Sequence, residues 1–255
     1  MAEVDLDGYV GWLVSISGAT LRGIDAPTHY PTAPRLVVTP RENSVYEIRV
    51  VTRGLYDRDE AIASTRSVAE RFLDELAFQY DASIGVLRHH NQKVPYPPDG
   101  PKRGLSIRML SAETAWINAS STRIISESEL GRTVREHLSM EAPTAMRTFR
   151  IALAQSDALA KFMLLYNAML ELRGDIQREV DASILSVDAS IPVSPSPVKK
   201  SENETLFTRL RNELAHHRPG SDLSRTSAEV RKVLPDFVRI TRAVIAHARS
   251  TSPLD

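Results

Sequence analysis

The sequence has no cysteine and no net charge, and both absences narrow the functions open to it. Without cysteine the chain forms no disulfide bond, has no catalytic thiolate and offers no cysteine-ligated zinc site. The 32 acidic residues balance the 32 basic residues, so no positive field over the whole chain attracts nucleic acid. Any contact with nucleic acid therefore depends on a local basic patch.

Membrane and targeting segments are also lacking. No stretch approaches the roughly 18 consecutive apolar residues that a membrane span needs. The amino terminus has no basic region followed by an apolar stretch, as a secretory signal does. Glycine-rich phosphate loops and Gly-x-Ser-x-Gly turns are missing as well. We expect a cytoplasmic protein with no membrane contact, and we predict no cofactor and no metal.

The sequence does contain enough apolar residues for a core, and its patterns divide it into two parts. Hydrophobic residues make up 42% of the 255 residues and charged residues 25%, as in ordinary globular proteins. The predicted fold class is α+β. A mixed α/β module is expected over residues 1–126 and a helical domain over residues 127–255.

The N-terminal module is predicted to consist of short strands around one helix. Residues 59–80 repeat apolar side chains at three-to-four spacing, which predicts a helix with a buried stripe. Four early prolines, from Pro27 to Pro40, predict loops. The proline-rich segment 95–101 predicts a further loop, either a mobile lid or a plain surface connection. The predicted strands, rich in β-branched residues, are 12–16, 36–39, 45–51, 84–87 and 105–110.

The C-terminal part has helical patterns almost throughout, which predict a bundle of four to five helices. Between Asp157 and Glu171 the only charged residue is Lys161, so residues 145–172 predict an apolar stretch at the centre of a core. A Pro/Ser segment at 191–203 predicts an exposed, extended loop. The other predicted helices are 129–140, 175–185, 204–217 with Asn203 as its cap, and a final helix capped by Thr226 and Glu229.

The string Leu-Arg-Asn-Glu-Leu-Ala-His at 210–216 contains the candidate motif, formed by Arg211, Asn212 and His216. With 26 arginines and 7 histidines, the bare pattern of Arg, four to six residues and His arises by chance. The pair Arg211 and His216 differs from the other Arg–His matches in two ways: Asn follows its arginine, and it lies at the end of the penultimate predicted helix. The other matches are Arg22 with His29, Arg132 with His137 and Arg242 with His247.

In this motif and in its order of helices, the segment from about 145 to 250 resembles the HEPN superfamily. The string and the two-part layout are similar to the methylamine-utilisation protein J group within it. The resemblance implies a homodimer in which two Arg–His pairs converge on one cleft. It also implies a metal-independent endoribonuclease. Our hypothesis is a defence or toxin component that is regulated by its N-terminal module and has a regulatory protein partner.

The chemistry that this resemblance implies assigns a role to each motif residue. His216 exchanges a proton with the ribose 2′-hydroxyl or the leaving oxygen, and Arg211 holds the phosphate. Asn212 is expected to orient the imidazole. RNA is cut rather than DNA, because the mechanism needs the 2′-hydroxyl. Residues 209–249 contain nine basic and four acidic residues, which supply a local anion-binding patch.

A non-catalytic interpretation stays open beside this one. Many HEPN-like domains are non-catalytic, so the chain is alternatively a dimerisation or ligand/nucleotide-binding adaptor. Arg and His at the end of a helix also favour its dipole, and Asn212 can bond a neighbouring helix. The family's spacing admits His217 in place of His216. The pair His89-His90 is either a metal site or, without further ligands at suitable spacing, a strand-end pair.

Helical geometry separates the motif from the predicted core of its helix. At 100° per residue, Arg211, Asn212 and His216 fall on the side opposite the apolar stripe. His217 falls at the edge of that stripe, which makes His216 the better candidate. Since water screens an exposed pair, we predict a homodimer packed through 204–217 and 147–172. The predicted stripe consists of Leu206, Phe207, Leu210 and Leu214.

Overall fold

The computed structural model describes residues 7–95, 97, 123–137, 144–197, 202–216 and 222–251. The chain forms two compact units, Met1–Glu141 and Ala142–Asp255. This division falls between 141 and 142, whereas the boundary predicted from the sequence lies between 126 and 127. A helix that begins at Glu127 packs against strand and helix residues of the first unit, and therefore belongs to that unit.

The first unit is built on a six-stranded antiparallel sheet. The strand order is β3-β4-β5-β1-β6, and β7 also pairs with β1. A separate parallel pair joins β2 to β8. The strands are β1 (Asp7–Ser17), β2 (Ala19–Leu21), β3 (Ile24–Tyr30), β4 (Ala33–Pro40), β5 (Val45–Arg53), β6 (Ser83–Ile84), β7 (Arg88–Lys93) and β8 (Arg123–Ile125). The helices are α1 (Arg58–Tyr80) and α2 (Glu127–Arg132), which continues into a π-helical turn at Thr133–His137.

The core of the first unit lies between the sheet and α1. Alternate residues of β1 are buried, and α1 packs on β5 and β1. Each large apolar side chain removed from water contributes about 1.5–3 kcal/mol to stability. The Asp57 carboxylate accepts from the Glu60 amide at 2.9 Å and starts α1, which confirms the helix predicted at 59–80. The buried side chains include Val10, Trp12, Val14, Ile16, Phe72, Leu73 and Leu76.

Three of the predicted strands are confirmed within β1, β4 and β5. Of the strand predicted at 84–87 only Ile84 lies in a strand, because β6 pairs only with the last two residues of β1 and the chain then turns into β7. Strand β3 was not predicted, since Pro27 suggested a loop. It is an edge strand, where a residue without an N–H is tolerated. The strand predicted at 105–110 and most of the loop at 95–101 lie outside the described residues.

The second unit contains five helices and one two-stranded hairpin among its described residues. Helix α4 packs against α3 and α7 and buries its apolar side there. Phe237 of α7 lies 4.8 Å from Phe162 and 4.5 Å from Phe207, between ring centroids. The elements are α3 (Thr144–Leu153), α4 (Ala158–Leu172), α5 (Gln177–Val187), β9 (Val193–Pro195), β10 (Asn203–Thr205), α6 (Leu206–His216) and α7 (Leu223–Thr251).

The apolar stretch at 145–172 is not one continuous helix. It is broken between α3 and α4, where the Asp157 carboxylate accepts from the Ala160 amide at 2.7 Å. An N-cap of this kind starts a new helix, and apolar spacing alone does not reveal it. The final helix likewise begins earlier than predicted. Asp222, rather than Thr226, caps its first turn, with 2.8 Å between the carboxylate and the Ser224 amide.

The Pro/Ser segment at 191–203 is extended, but part of it is paired. β9 and β10 form an antiparallel hairpin in which Val193 lies opposite Thr205. Asn203 is therefore a strand residue and not the helix cap that was predicted. No helix in the described part of the chain has the length and apolarity that crossing a membrane requires.

A buried carboxylate holds the sheet of the first unit together on the side away from Trp12. Glu47 is 1% exposed and accepts hydrogen bonds from Arg41, from Arg49 at 3.1 Å and from Asn91 at 3.2 Å. A Cβ at Gly11 would lie 2.2 Å from the Asn91 amide oxygen, so any other residue there would displace the Asn91 side chain. Burial raises the pKa of Glu47, but the hydrogen bonds from Arg41 and Asn91 outweigh it and hold that pKa below its usual range.

We expect Glu47→Gln to lower the free energy of unfolding at pH 7 by about 1–3 kcal/mol, because two guanidinium groups lose a charged acceptor. The folded-state pKa of Glu47 lies below the unfolded-state pKa. Its contribution is therefore complete above the unfolded-state pKa and is lost as the pH falls through the folded-state pKa. Urea unfolding followed by tryptophan fluorescence, at pH 7 and in acid, measures this, since both tryptophans belong to this unit.

The matched control is Glu42→Gln, an exposed carboxylate between β4 and β5. It should change the free energy of unfolding by less than about 0.5 kcal/mol. Two results would contradict this account. One is an equal change in the free energy of unfolding for both variants, and the other is a loss of unfolding free energy in Glu47→Gln that is as large in acid as at pH 7.

Candidate active site on α6

Helix α6 begins directly where strand β10 ends, and a threonine makes that transition. The Thr205 hydroxyl oxygen accepts from the Thr208 amide at 3.3 Å, as an N-cap does. Arg211 and Asn212 lie in the middle of the helix, and His216 is its last residue. The position of the motif therefore depends on how the β10–α6 junction is held.

A buried network around Asp181 holds that junction. One oxygen of this α5 carboxylate accepts from the Thr205 amide at 3.1 Å and from the hydroxyls of Thr205 and Thr208 at 2.6 Å each. Because the Thr208 hydroxyl donates to Asp181, the Tyr166 hydroxyl at 2.8 Å must donate to Thr208. Burial raises the pKa of Tyr166 well above its usual value, so it keeps that proton. The network connects α4, α5, β10 and α6.

The three motif residues are brought together by one guanidinium nitrogen. Arg211 Nη1 donates to the Asn212 side-chain oxygen at 3.0 Å and lies 3.3 Å from His216 Nε2. The Arg211 guanidinium lies 5.6 Å from the Tyr166 ring centroid, a cation–π distance. Its Nε has no hydrogen-bond partner among the described residues. Arg211 is half-buried, whereas His216 is exposed.

The position of Asn212 differs from the helical-wheel prediction. It was expected on the side opposite the core, but its side chain is only 4% exposed. Its amide nitrogen donates to Glu204 at 3.2 Å and to Gln177 at 3.3 Å. The start of α5 and strand β10 cover this side of α6, and a wheel drawn for one helix cannot include such neighbours. Asn212 therefore contacts Arg211 directly and reaches the imidazole only through it.

The four apolar residues predicted to form the buried stripe of α6 are not all buried to the same extent. Phe207 and Leu210 are buried, as predicted, while Leu206 and Leu214 are only partly buried. His217, the alternative to His216, lies outside the described residues. Sequence reasoning missed four polar residues around the motif, since none belongs to a recognisable pattern: Tyr166, Gln177, Asp181 and Glu204.

Ion pairs reduce the basic patch expected around the motif. Arg209 contacts Glu213 and Glu229, each at 2.7 Å, and the Thr226 hydroxyl donates to Glu213 at 2.7 Å. Arg239 pairs with Asp188 at 2.8 Å. Part of the positive charge counted in the sequence is thus neutralised by acidic neighbours.

The described residues contain no group of three or more His, Cys, Asp or Glu side chains suited to a metal ion. The pair His89-His90 lies in β7 of the first unit. The His89 ring is 5.4 Å from that of Trp12, and burial followed by the charge of Arg58 lowers the pKa of His89. His89 is thus a packing partner of Trp12.

Comparisons of the chain with protein-family models, with curated proteins and with solved structures find no match. The resemblance to HEPN proteins therefore depends on the α6 residues and on the order of helices around them. Chemically, α6 presents an imidazole at its exposed end beside a guanidinium whose position is fixed by buried groups. Such a pair is suited to proton transfer next to an anion.

We expect Asp181→Ala to lower the free energy of unfolding by about 2–4 kcal/mol, because three buried donors lose their acceptor. Urea unfolding followed by helical circular dichroism measures the change. Glu179→Ala, at an exposed carboxylate of the same helix, is the matched control and should have little effect. An Asp181→Ala variant as stable as that control would contradict the role given to this network.

Proposed function

We propose that the second unit is an HEPN-type, metal-independent endoribonuclease whose catalytic residues are Arg211 and His216. The observation that carries the proposal is the 3.3 Å approach of Arg211 Nη1 to His216 Nε2 at the exposed end of α6. A titratable imidazole beside a positioned guanidinium is what transfer of a phosphodiester needs. Asn212 supports the pair by holding Arg211.

In the proposed reaction, His216 Nε2 takes the proton of a ribose 2′-hydroxyl. The 2′-oxygen then bonds to the adjacent phosphorus, and the bond from phosphorus to the 5′-oxygen breaks. The 5′-oxygen leaves with a proton from a second, protonated imidazole, that of another copy of the chain. The products are a 2′,3′-cyclic phosphate and a 5′-hydroxyl. Arg211 stabilises the added charge on the phosphate oxygens, and an anion would supply acceptors that its guanidinium lacks.

The need for two imidazoles is one reason to propose a homodimer. The other is α4, which carries Tyr166 next to Arg211 and has apolar residues only partly covered by its own unit. Two copies joined through α4 and α6 would cover these residues and enclose both motifs. A stable interface of this kind buries well over about 1,000 Å². The partly exposed apolar residues of α4 are Leu159, Met163, Leu164 and Leu170.

The second candidate is a non-catalytic dimerisation or ligand/nucleotide-binding adaptor. The observation that favours it is that the Nε2 of His216 already faces Arg211, which itself is tied to the buried Asn212. An arrangement of this kind also stabilises the end of a helix without any chemistry. A defence or toxin role belongs to the first candidate only, whereas a protein partner is compatible with both.

We expect purified protein to cleave single-stranded RNA in EDTA, and His216→Ala to lower the rate by about 100-fold or more, the usual contribution of a general base. Arg211→Ala should cause a loss of similar size, because the phosphate is no longer held. An RNA with a 2′-deoxy sugar at the cleaved position should stay intact. Gel analysis of end-labelled RNA, with identification of the 2′,3′-cyclic end, measures all three.

The matched control is His247→Ala, the exposed histidine of another Arg–His pair with the same spacing, Arg242 and His247. It should cleave RNA like the wild type. Equal cleavage by the wild type and His216→Ala would contradict the assignment of His216. Absence of cleavage in every sample would contradict the ribonuclease and favour the adaptor.

For the dimer, we expect sedimentation at micromolar concentration to give a species of twice the chain mass. Leu164→Arg should convert it to monomer, because a charge would be buried without a partner. Arg178→Glu, at a side chain that is 83% exposed, is the control and should remain dimeric. A wild-type protein that sediments as a monomer would contradict the shared cleft.

A further inference from the structure

Glu204 is a buried carboxylate that the proposed reaction does not use. It lies in strand β10, just before the helix, and is 1% exposed. Burying a carboxylate is unfavourable unless hydrogen bonds compensate for the lost water. One of its oxygens accepts from the Asn212 amide nitrogen at 3.2 Å. This hydrogen bond connects the buried charge of Glu204 to a residue of the motif.

The carboxylate fixes which way the Asn212 amide faces. Asn212 Nδ2 has two hydrogens, and two acceptors meet them, Glu204 at 3.2 Å and the Gln177 side-chain oxygen at 3.3 Å. A carboxylate only accepts, so a flipped amide would place two oxygens against each other. The Asn212 oxygen is therefore forced to face Arg211, whose Nη1 donates to it at 3.0 Å.

The fixed guanidinium in turn determines which ring nitrogen of His216 is protonated. Arg211 Nη1 lies 3.3 Å from His216 Nε2, and a guanidinium only donates hydrogen bonds. Nε2 must then be the acceptor, so the proton of the neutral imidazole is on Nδ1. The hydrogen bond made by one ring nitrogen sets the tautomer of the whole ring.

We infer that Glu204 is a positioning residue for His216. Acting through Asn212 and Arg211, it holds the neutral imidazole in the tautomer that has its proton on Nδ1 and its free electron pair on Nε2. That is the form in which Nε2 takes a proton from a hydroxyl. The consequence for RNA cleavage rests on the proposed function, whereas the tautomer itself does not.

Nitrogen-15 NMR of the full chain tests the tautomer directly, at a pH about two units above the ordinary histidine pKa. The His216 signals are assigned by their loss in His216→Asn. We expect the wild type to have its proton on Nδ1. Glu204→Met, which removes the acceptor at nearly equal size, should move a large part of the population to the Nε2-protonated form. Glu204→Gln, which keeps an acceptor for Asn212, should resemble the wild type.

Since Glu204→Met removes a buried acceptor and thereby lowers stability, Arg211→Ala provides a second test at a half-buried side chain. It removes the donor to Nε2 and should also favour the Nε2-protonated form. A wild-type His216 protonated on Nε2, or a tautomer unchanged in folded Glu204→Met or in Arg211→Ala, would overturn the inference.

Cleavage kinetics separate this inference from the proposed function. We expect Glu204→Met to lower kcat by about 10- to 100-fold, as loss of a group that orients a reacting side chain does, with KM little changed. Glu204→Gln should restore kcat. If the wild type does not cleave RNA, the proposed function fails while the tautomer result stands. If the wild type cleaves but Glu204→Met keeps both its kcat and its tautomer, the inference alone fails.

Discussion

The structure of the second unit depends on two buried carboxylates, because each of them must be matched by hydrogen-bond donors. Asp181 takes its donors from Thr205 and Thr208, and Glu204 takes one from Asn212. Each of these contacts joins the first turns of α6 to elements that precede it in the chain. These polar contacts, together with apolar packing, therefore fix the residue at which α6 begins and the rotation of the helix about its axis. A slip of one residue along the helix would take Thr208 away from Asp181 and Asn212 away from Glu204. Loss of these buried hydrogen bonds is far more costly than a slip along an apolar stripe.

This constraint explains how a chain with no net charge can hold a guanidinium in a fixed position beside an imidazole. The fixed rotation of α6 places Arg211 over the Tyr166 ring and beside His216, while ion pairs neutralise part of the local excess of basic residues. Neighbouring arginines such as Arg209 are already paired with acids. Selectivity for an anion would then come from the geometry of one guanidinium, since a broad positive field is absent.

The sequence predicted what local patterns determine and missed what distant contacts determine. The helix at 59–80 and the strands around Trp12 and Ile48 follow from periodicity, which burial on one side imposes on the sequence. The break before Asp157 and the strand containing Pro27 needed knowledge of caps and of sheet edges. At the site, spacing identified Arg211 and His216 as a pair, which the structure brings together. It placed Asn212 on the side of α6 opposite the core, because a single-helix wheel does not include Glu204 and Gln177, which cover that side. The hydrogen bond to Gln177 of α5 agrees with the alternative that Asn212 bonds a neighbouring helix.

The two candidate functions make opposite demands on Arg211. A structural pair is most stable when the guanidinium keeps both of its contacts, the Asn212 oxygen and His216 Nε2. A ribonuclease must release Nε2 to a hydroxyl and turn part of the guanidinium towards phosphate. The geometry allows this division, because Asn212 holds Arg211 from the buried side while His216 is exposed. The contact with His216 is thus the weaker of the two and the one that substrate can replace. Protonation of His216 would break the same contact by repulsion between two cations, which would leave the guanidinium attached to Asn212 and open towards an anion.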